Sequence, residues 1–425
     1  MPEEHSSDLV RRFVLQTASR EERRAVVAHL LSGCARCKAW LQAHFAGHCH
    51  PDEEYEQPIR RAAALANERL QARVLASESL NRLKARNSRK FASLGLCLDL
   101  VDKCRALRGS DIPGMLDTAK LAVAVGDQLC SLDDRANHRD AAAMAYGELG
   151  NALRANGEFS LAALALQKAK EHYRAGTGAR RLLGLLCEQE GVLLETTHHL
   201  DEAIKLFDLA AEIYRALGDS DSLARVLIEK GVAVGWSSDP KEALKILASA
   251  SDYLDCRNVN LLRAWLHDSL WFYLEVGNTQ AASHVYARAK PVFEGAGPEL
   301  RRRFLWAEAR LLVLLGNLEI AEHQLRSLID HYLSCNQQWT AALVLFDLEV
   351  CFAKTNRFED LQKAASLQVA MLGELGVPRE TLRAVALLIK SSRSRVGELI
   401  SLILVTRRRV ANSSTVGGGA ARHLC

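Results

Sequence analysis

The chain of 425 residues has no long apolar run: the longest near its C-terminal end is Leu402–Val405. A bilayer-spanning helix needs about 20 apolar residues, so no transmembrane segment is expected. Its first residues, MPEEHSSD, are acidic and polar, unlike the basic and apolar start of a secretory signal. Nor is one sign of charge dominant. Fifty-five Lys and Arg face 51 Asp and Glu, a formal net charge of +4, which gives no overall bias towards nucleic acid or membrane surfaces. A disulfide framework is missing too, since the eleven cysteines are odd in number and scattered, as suits free thiols in a reducing cytoplasm. The catalytic patterns GxxxxGK[ST], HExxH, GxSxG and GxGxxG are all absent. The pair His198-His199 falls in a predicted turn between two helices and reads as an exposed polar loop. No enzymatic activity is expected.

What the chain does have begins near its start. Residues 1–50 hold three of the eleven Cys and five of the fourteen His, well above an even spread. Ser7 can cap a first helix, DLVRRFVLQ. Ser19 with Glu22 forms a capping box for a second, REERRAVVAHLL, and Gly33 is a natural stop. A short link makes the two antiparallel, which brings His5 beside His29 in the last turn of the second helix. Cys34 and Cys37 follow at CxxC spacing. His5, His29, Cys34 and Cys37 therefore form a candidate tetrahedral zinc set. His44, His48, Cys49 and His50 compete with His5 for the fourth place, and the alternative is a set of buried thiols with a core histidine. Two short helices bury little apolar surface. A structural zinc, typically worth ~10–16 kcal/mol of apparent binding free energy, would dominate folding there.

This segment resembles the zinc-associated anti-sigma domain, in which a helical His is followed by three residues and CxxC. Here four residues, Leu30 to Gly33, separate His29 from Cys34, and His5 stands where many relatives carry Cys. The resemblance implies a structural zinc and a sigma-factor partner held by residues 1–90. The next stretch, 51–91, reads as an amphipathic linker helix: Ile59, Ala63, Ala66, Leu70 and Val74 share one face. Residues 60–90 carry nine Lys/Arg against Glu68 and Glu78. That is a partner-binding or a solvated helix. A nucleic-acid groove is disfavoured, because no aromatic interleaves the charges before Phe91.

From 92 to 390 the chain is helical and periodic. One register runs Gly150, Gly191, Gly231, Leu270, Ala309, Glu349, in steps of 39 to 41 residues. A second, twelve residues behind, runs Ala162, Ala203, Ala243, Ala282, Ala321, Leu361. Such constancy marks a stacked repeat. Small residues let the two helices of a hairpin cross closely, while Tyr146, Leu166, Phe207, Tyr286 and Leu325 fill the space between. Turns are predicted at Asn156-Gly157-Glu158, Gly277-Asn278, Gly316-Asn317 and Asn356-Arg357. Six repeats are legible, with a worn one at 92–130.

These units resemble tetratricopeptide repeats, most clearly in Tyr146–Ala169 and Glu190–Ala210. The period exceeds the family's 34 residues, and Leu270, Glu349 and Leu361 break the small-residue rule. The resemblance implies an all-α, helical-hairpin solenoid that binds a protein or peptide in a groove lined by the first helix of each pair. Carried over position by position, the groove residues are Asn151, Arg154, Glu188, Glu195, Arg225, Trp236, His267, Trp271, Glu275, Trp306 and Arg310. Trp and Arg dominate interface hot spots; the alternative for each Trp is packing between repeats.

The tail, 391–425, departs from this pattern. Pro378 to Lys390 can form a capping helix. VGELISLILV and Arg407-Arg408-Arg409 follow, and the last fifteen residues have the composition of disorder. A basic membrane-touching tail and an ending that never packs both fit. The expected protein is thus a cytoplasmic, non-enzymatic regulator or adaptor, with a zinc module at 1–50 and a repeat array that engages a partner or senses a signal peptide. The alternative is an assembly scaffold whose zinc hairpin is a cap.

Overall fold

A computed structural model describes Ser19 and residues 92–108, 111–237, 239–255, 257–374 and 396–412. The predicted zinc ligands His5, His29, Cys34 and Cys37, their competitors, the linker helix, the Pro378–Lys390 helix and the last thirteen residues lie outside the described set.

The described residues form helices and turns. They run α1 (Leu94–Leu107), α2 (Ile112–Leu132), α3 (Ala136–Ala155), α4 (Phe159–Arg174), α5 (Arg180–Thr196), α6 (Leu200–Leu217), α7 (Ser220–Trp236) and α8 (Pro240–Ala250). After a 3-10 turn at Ser251–Tyr253 come α9 (Val259–Glu275), α10 (Thr279–Glu294), α11 (Pro298–Leu315), α12 (Leu318–Ser334), α13 (Gln338–Lys354), α14 (Phe358–Glu374) and α15 (Val396–Asn412). Local chemistry sets many of the boundaries. Asp111, Asp219, Asp239, Asn258 and Asn278 each sit at an N-cap, where the side-chain oxygen accepts a backbone N–H of the first turn. At the far ends the chain turns left-handed, at Gly157, Gly277 and Gly316 and also at His198 and Asn356. Gly316 has φ 83°, a conformation that costs a glycine nothing and a β-carbon-bearing residue something. All four predicted turns thus fall between helices, as does His198-His199.

The chain divides into two compact units. The first takes in residues through Leu153 with Ser160–Leu186 and Ile213–Gly218. There α1 and α2 form the worn hairpin expected at 92–130, cored by Leu96, Cys97, Leu100, Val101, Val125 and Ala141. A β-carbon on Gly126 would stand 3.1 Å from the Ala142 Cα, so α2 and α3 cross backbone to backbone. Glu148 is fully buried and accepts from Arg105 at 2.8 Å and Arg108 at 3.3 Å.

The second unit takes in Arg154–Phe159, Cys187–Glu212 and the chain from Asp219 onward. Helices α7/α8, α9/α10, α11/α12 and α13/α14 are antiparallel hairpins, and the first helices of successive pairs, α7, α9, α11 and α13, also touch in sequence. The small-residue registers do what their spacing implies. Ala203, Ala243, Ala282, Ala309 and Ala321 are fully buried, and a β-carbon at Gly191 would meet the Phe207 ring at 2.6 Å. Where the rule breaks, Leu270 is absorbed into a core with Val285, Ala289 and Phe293. Glu349 is instead buried as a carboxyl with no hydrogen-bond partner among the described residues.

Two features go beyond the periodicity. Every residue of α13 from Trp339 to Ala353 is buried, whereas a surface helix buries one stripe. What covers the extra face includes α15, which lies against α13. Its buried residues, Leu399, Ile403, Thr406, Arg407 and Val410, recur at helical spacing. This part of the tail is therefore a packed helix, with Leu404 and Val405 on its outer side. No helix among the described residues is long and apolar enough to cross a membrane.

Candidate binding face

The predicted groove positions fall on the first helices of the hairpins. Asn151 on α3 is buried, and Arg154 near its end is partly exposed. Glu188 and Glu195 on α5 are both buried. Glu188 accepts two bonds from Arg225 on α7, at 2.5 and 3.0 Å, a forked pair spanning one repeat. The Arg225 side chain is one third exposed, at 34%, so solvent screens this pair. Beside it on α7, Glu229 is held up at about 7, first by burial and then by the charges of Asp268 and Glu188, against the pull of Arg154 and Arg225.

The remaining six predicted residues converge on α7, α9 and α11. Trp236 and Trp271 approach with ring centroids 6.5 Å apart, and Trp271 meets Trp306 edge-on at 5.1 Å. His267 stacks on Trp271 at 6.0 Å and contacts Asp268 through Nδ1 at 3.0 Å. The Arg310 guanidinium lies 4.3 Å from the Trp271 centroid, a cation–π contact in a desolvated place. Arg310 Nη2 donates to Glu275 at 2.8 Å. The tryptophans pack helix to helix; Trp236 and Trp271 remain partly exposed while Trp306 is buried.

Two residues that sequence reasoning passed over complete the cluster. Asp347, at the centre of α13, accepts from Trp306 Nε1 at 2.7 Å and lies 3.4 Å from Arg310 Nε. Arg407, on α15, donates through Nη1 to Asp347 at 2.6 Å and through Nη2 to Glu275. All four charged side chains are at least about nine-tenths buried. Two carboxylates and two guanidiniums thus sit together under an indole lid. Burial, with the charge of Arg407, lowers the Arg310 pKa. Burial also works against Arg407, yet Glu275 and Asp347 outweigh it and its pKa rises. Trp271 Nε1 and Arg310 Nη1 are buried donors with no acceptor among the described residues. The signal for Asp347 was an acid inside the apolar run WTAALVLFDLEVCF; for Arg407 it was an arginine in register with Leu399, Ile403 and Val410.

Chemically the face offers flat aromatic surface, an acid-lined guanidinium site and, at Glu229, a carboxyl that titrates near neutrality. Among the described residues no group of three or more His, Cys, Asp or Glu is placed to hold a metal ion.

No family model matches the chain, and no curated protein matches it. Solved structures do. The crystal structure of aspartyl phosphate phosphatase F from Bacillus subtilis is 14% identical and superimposes with a TM-score of 0.50 over 87% of this chain and 92% of that one. The fold is tetratricopeptide-like. At that identity the likeness concerns the fold alone. The crystal structure of the P58(IPK) TPR domain covers 75% of this chain and 98% of its own at 14% identity, with a TM-score of 0.21, too loose to carry an argument.

Proposed function

We propose that this protein is a non-enzymatic interaction scaffold, a regulator or adaptor that binds a protein or peptide segment on the inner helices α7, α9 and α11. The observation that carries this reading is the row Trp236, Trp271 and Trp306 set against Glu275, Arg310 and Asp347. Aromatic and arginine side chains beside desolvated charge are what interface hot spots are made of. Groove residues Glu188, Arg225 and His267 extend the face, and Asn151, Arg154 and Glu195 are further candidates.

A peptide library panned on the full chain tests it. Enriched peptides should lose at least about tenfold in affinity on Trp271→Ala, measured by fluorescence anisotropy with helix content checked by circular dichroism. Peptides that bind Trp271→Ala unchanged, or a library that yields no binder, would overturn the reading.

For the N-terminal segment the reading is a zinc module held by His5, His29, Cys34 and Cys37. It is supported by the concentration of His and Cys there and by their spacing. Residues 1–90 would engage a second protein, with a sigma factor as the class the resemblance implies; the assembly-scaffold alternative makes the same hairpin a cap. Elemental analysis should give one zinc per chain, lost in Cys34→Ser/Cys37→Ser; metal-free wild-type protein would reject the module. A sigma factor should co-purify with wild type and be lost from that double variant. A cap predicts instead that the variant lowers the melting temperature of the array.

A further inference from the structure

We propose that His172 is a proton-sensitive clasp between α3 and α4: neutral, its ring ties the end of α4 to the start of α3, and a proton on Nδ1 releases it. The inference goes beyond the scaffold reading and stands or falls without it. Three observations carry it.

The first is which nitrogen bears the hydrogen. Arg139, in the first turn of α3, lies with Nη1 3.3 Å from His172 Nδ1. A guanidinium only donates, so Nδ1 is the acceptor and the neutral ring carries its hydrogen on Nε2. Nε2 lies 3.9 Å from Oδ1 of Asp127 on α2. The ring between them stacks on Tyr146 of α3, with centroids 5.4 Å apart and planes 17° from parallel. Tyr146 in turn donates its hydroxyl to the other Asp127 oxygen at 3.0 Å. Three helices thus meet on one imidazole.

The second is that Arg139 is itself held. Its Nη2 donates to Asp134 at 2.7 Å and its Nε to the other oxygen of the same carboxylate, a forked pair that leaves Nη1 for the histidine. The hydrogen bond from Arg139 keeps the Asp134 carboxyl below its ordinary value, so the pair persists in mild acid. A proton arriving on Nδ1 therefore meets an N–H already pointing at it. The bond is lost, and two cations stand face to face.

The third is the balance of charge. Around His172 stand Asp127 on α2, Asp134 and Arg139 at the start of α3, and Lys168 and Glu171 on α4. Cys130, His138 and Asp140 lie next to Arg139 or Asp134. Burial opposes the charged ring most, then Arg139, with a smaller push from Lys168; Asp127 and Glu171 favour it but are outweighed, so the pKa lies below the ordinary imidazole value. Asp127 is the main counterweight, and solvent weakens its pull because its side chain is 49% exposed. The unfolded chain binds this proton more tightly than the fold does. The contribution of His172 to stability is therefore complete above the unfolded value of about 6.5 and is lost as the pH falls below it.

The release is local. Asp140, beside Arg139, accepts the Thr177 backbone N–H at 3.0 Å and also the Thr177 hydroxyl, a second tie between α3 and the turn after α4. Burial raises the Asp140 pKa against those bonds, so its own proton uptake favours the fold in acid, opposite to His172. A His172 variant separates the two.

The test uses the full chain with isotope-labelled histidine, and the proton is the ligand. The His172 resonances are those missing from His172→Gln. By nuclear magnetic resonance the ring should hold its hydrogen on Nε2 above pH 7 and titrate with a midpoint below about 6.5. Arg139→Gln should raise that midpoint, because it removes the opposing cation and leaves Asp127; a ring that merely filled space would keep it. A hydrogen on Nδ1, a midpoint at or above the ordinary value, or a midpoint indifferent to Arg139→Gln would overturn the proposal. Between about pH 7.5 and about pH 5.5 the melting temperature of the wild type should fall further than that of His172→Gln, and equal falls would count against the clasp. Hydrogen exchange on the wild type needs no variant. With intrinsic rates divided out, amides of 170–178 should lose at least about threefold in protection over that range while those of 119–129 keep theirs. Protection unchanged in both segments, or lost equally from both, would overturn it.

Discussion

Two ion pairs on the same line of inner helices are built alike and end differently. Glu188 and Arg225 form a forked pair one repeat apart, with the arginine reaching solvent. Glu275 and Arg310 form another pair between successive inner helices, farther along the chain. There Trp271 and Trp306 close over it, Asp347 adds a second acid and Arg407 a second base. The first has a buried glutamate but an arginine one third exposed, so solvent screening makes it worth little to stability. The second is a buried network in which each member depends on the others, because an unpaired charge in such a place costs far more than a pair gains. Along one array, then, ion pairs between successive inner helices end either as a solvent-screened pair or as a locked site.

The contrast can be broken most sharply at Asp347. Asp347→Ala leaves Arg310, Arg407 and the Trp306 N–H without their shared acceptor, and about 3–5 kcal/mol of stability should be lost in urea unfolding. Next in size is Glu349, also on α13. Burial, then Asp347, raises its pKa well above the carboxylate range, so the folded protein holds it protonated. The fold binds this proton more tightly than the unfolded chain does. Its contribution is therefore complete below the unfolded pKa of about 4.3 and declines as the pH rises past it. Glu349→Gln should flatten that decline, raising the melting temperature at pH 8 relative to wild type by more than at pH 5. The smallest effect belongs to the open pair: Glu188→Gln should cost about 1 kcal/mol or less, since Arg225 can turn to water. If Glu188→Gln cost as much as Asp347→Ala, the distinction between the two pairs would be wrong.

The repeat geometry was legible because it rests on local rules. Small residues must stand where helices cross, as at Gly191 against Phe207, and left-handed turns need residues such as Gly277, Gly316 and Asn356. The tryptophan row was legible because Trp236, Trp271 and Trp306 recur at 35-residue spacing on successive first helices. Asp347 and Arg407 were not. Each is a charge within an apolar pattern, and hydropathy alone scores it as a defect. The contact that explains Arg407 joins residues 132 apart in sequence, to Glu275, and no periodicity encodes it. The tail accordingly read as basic and unpacked, although Leu399, Ile403, Thr406, Arg407 and Val410 form one continuous stripe. An arginine counted as part of that stripe would have revealed the helix.

The central claim is that Arg407 closes the inner-face cluster through Asp347. A double-mutant cycle of Asp347→Asn and Arg407→Gln, read by urea unfolding of the full chain, addresses it directly. The account predicts a coupling energy of about 2 kcal/mol, the upper part of the range for residues in one buried network. Additive losses, with coupling near zero, would contradict it.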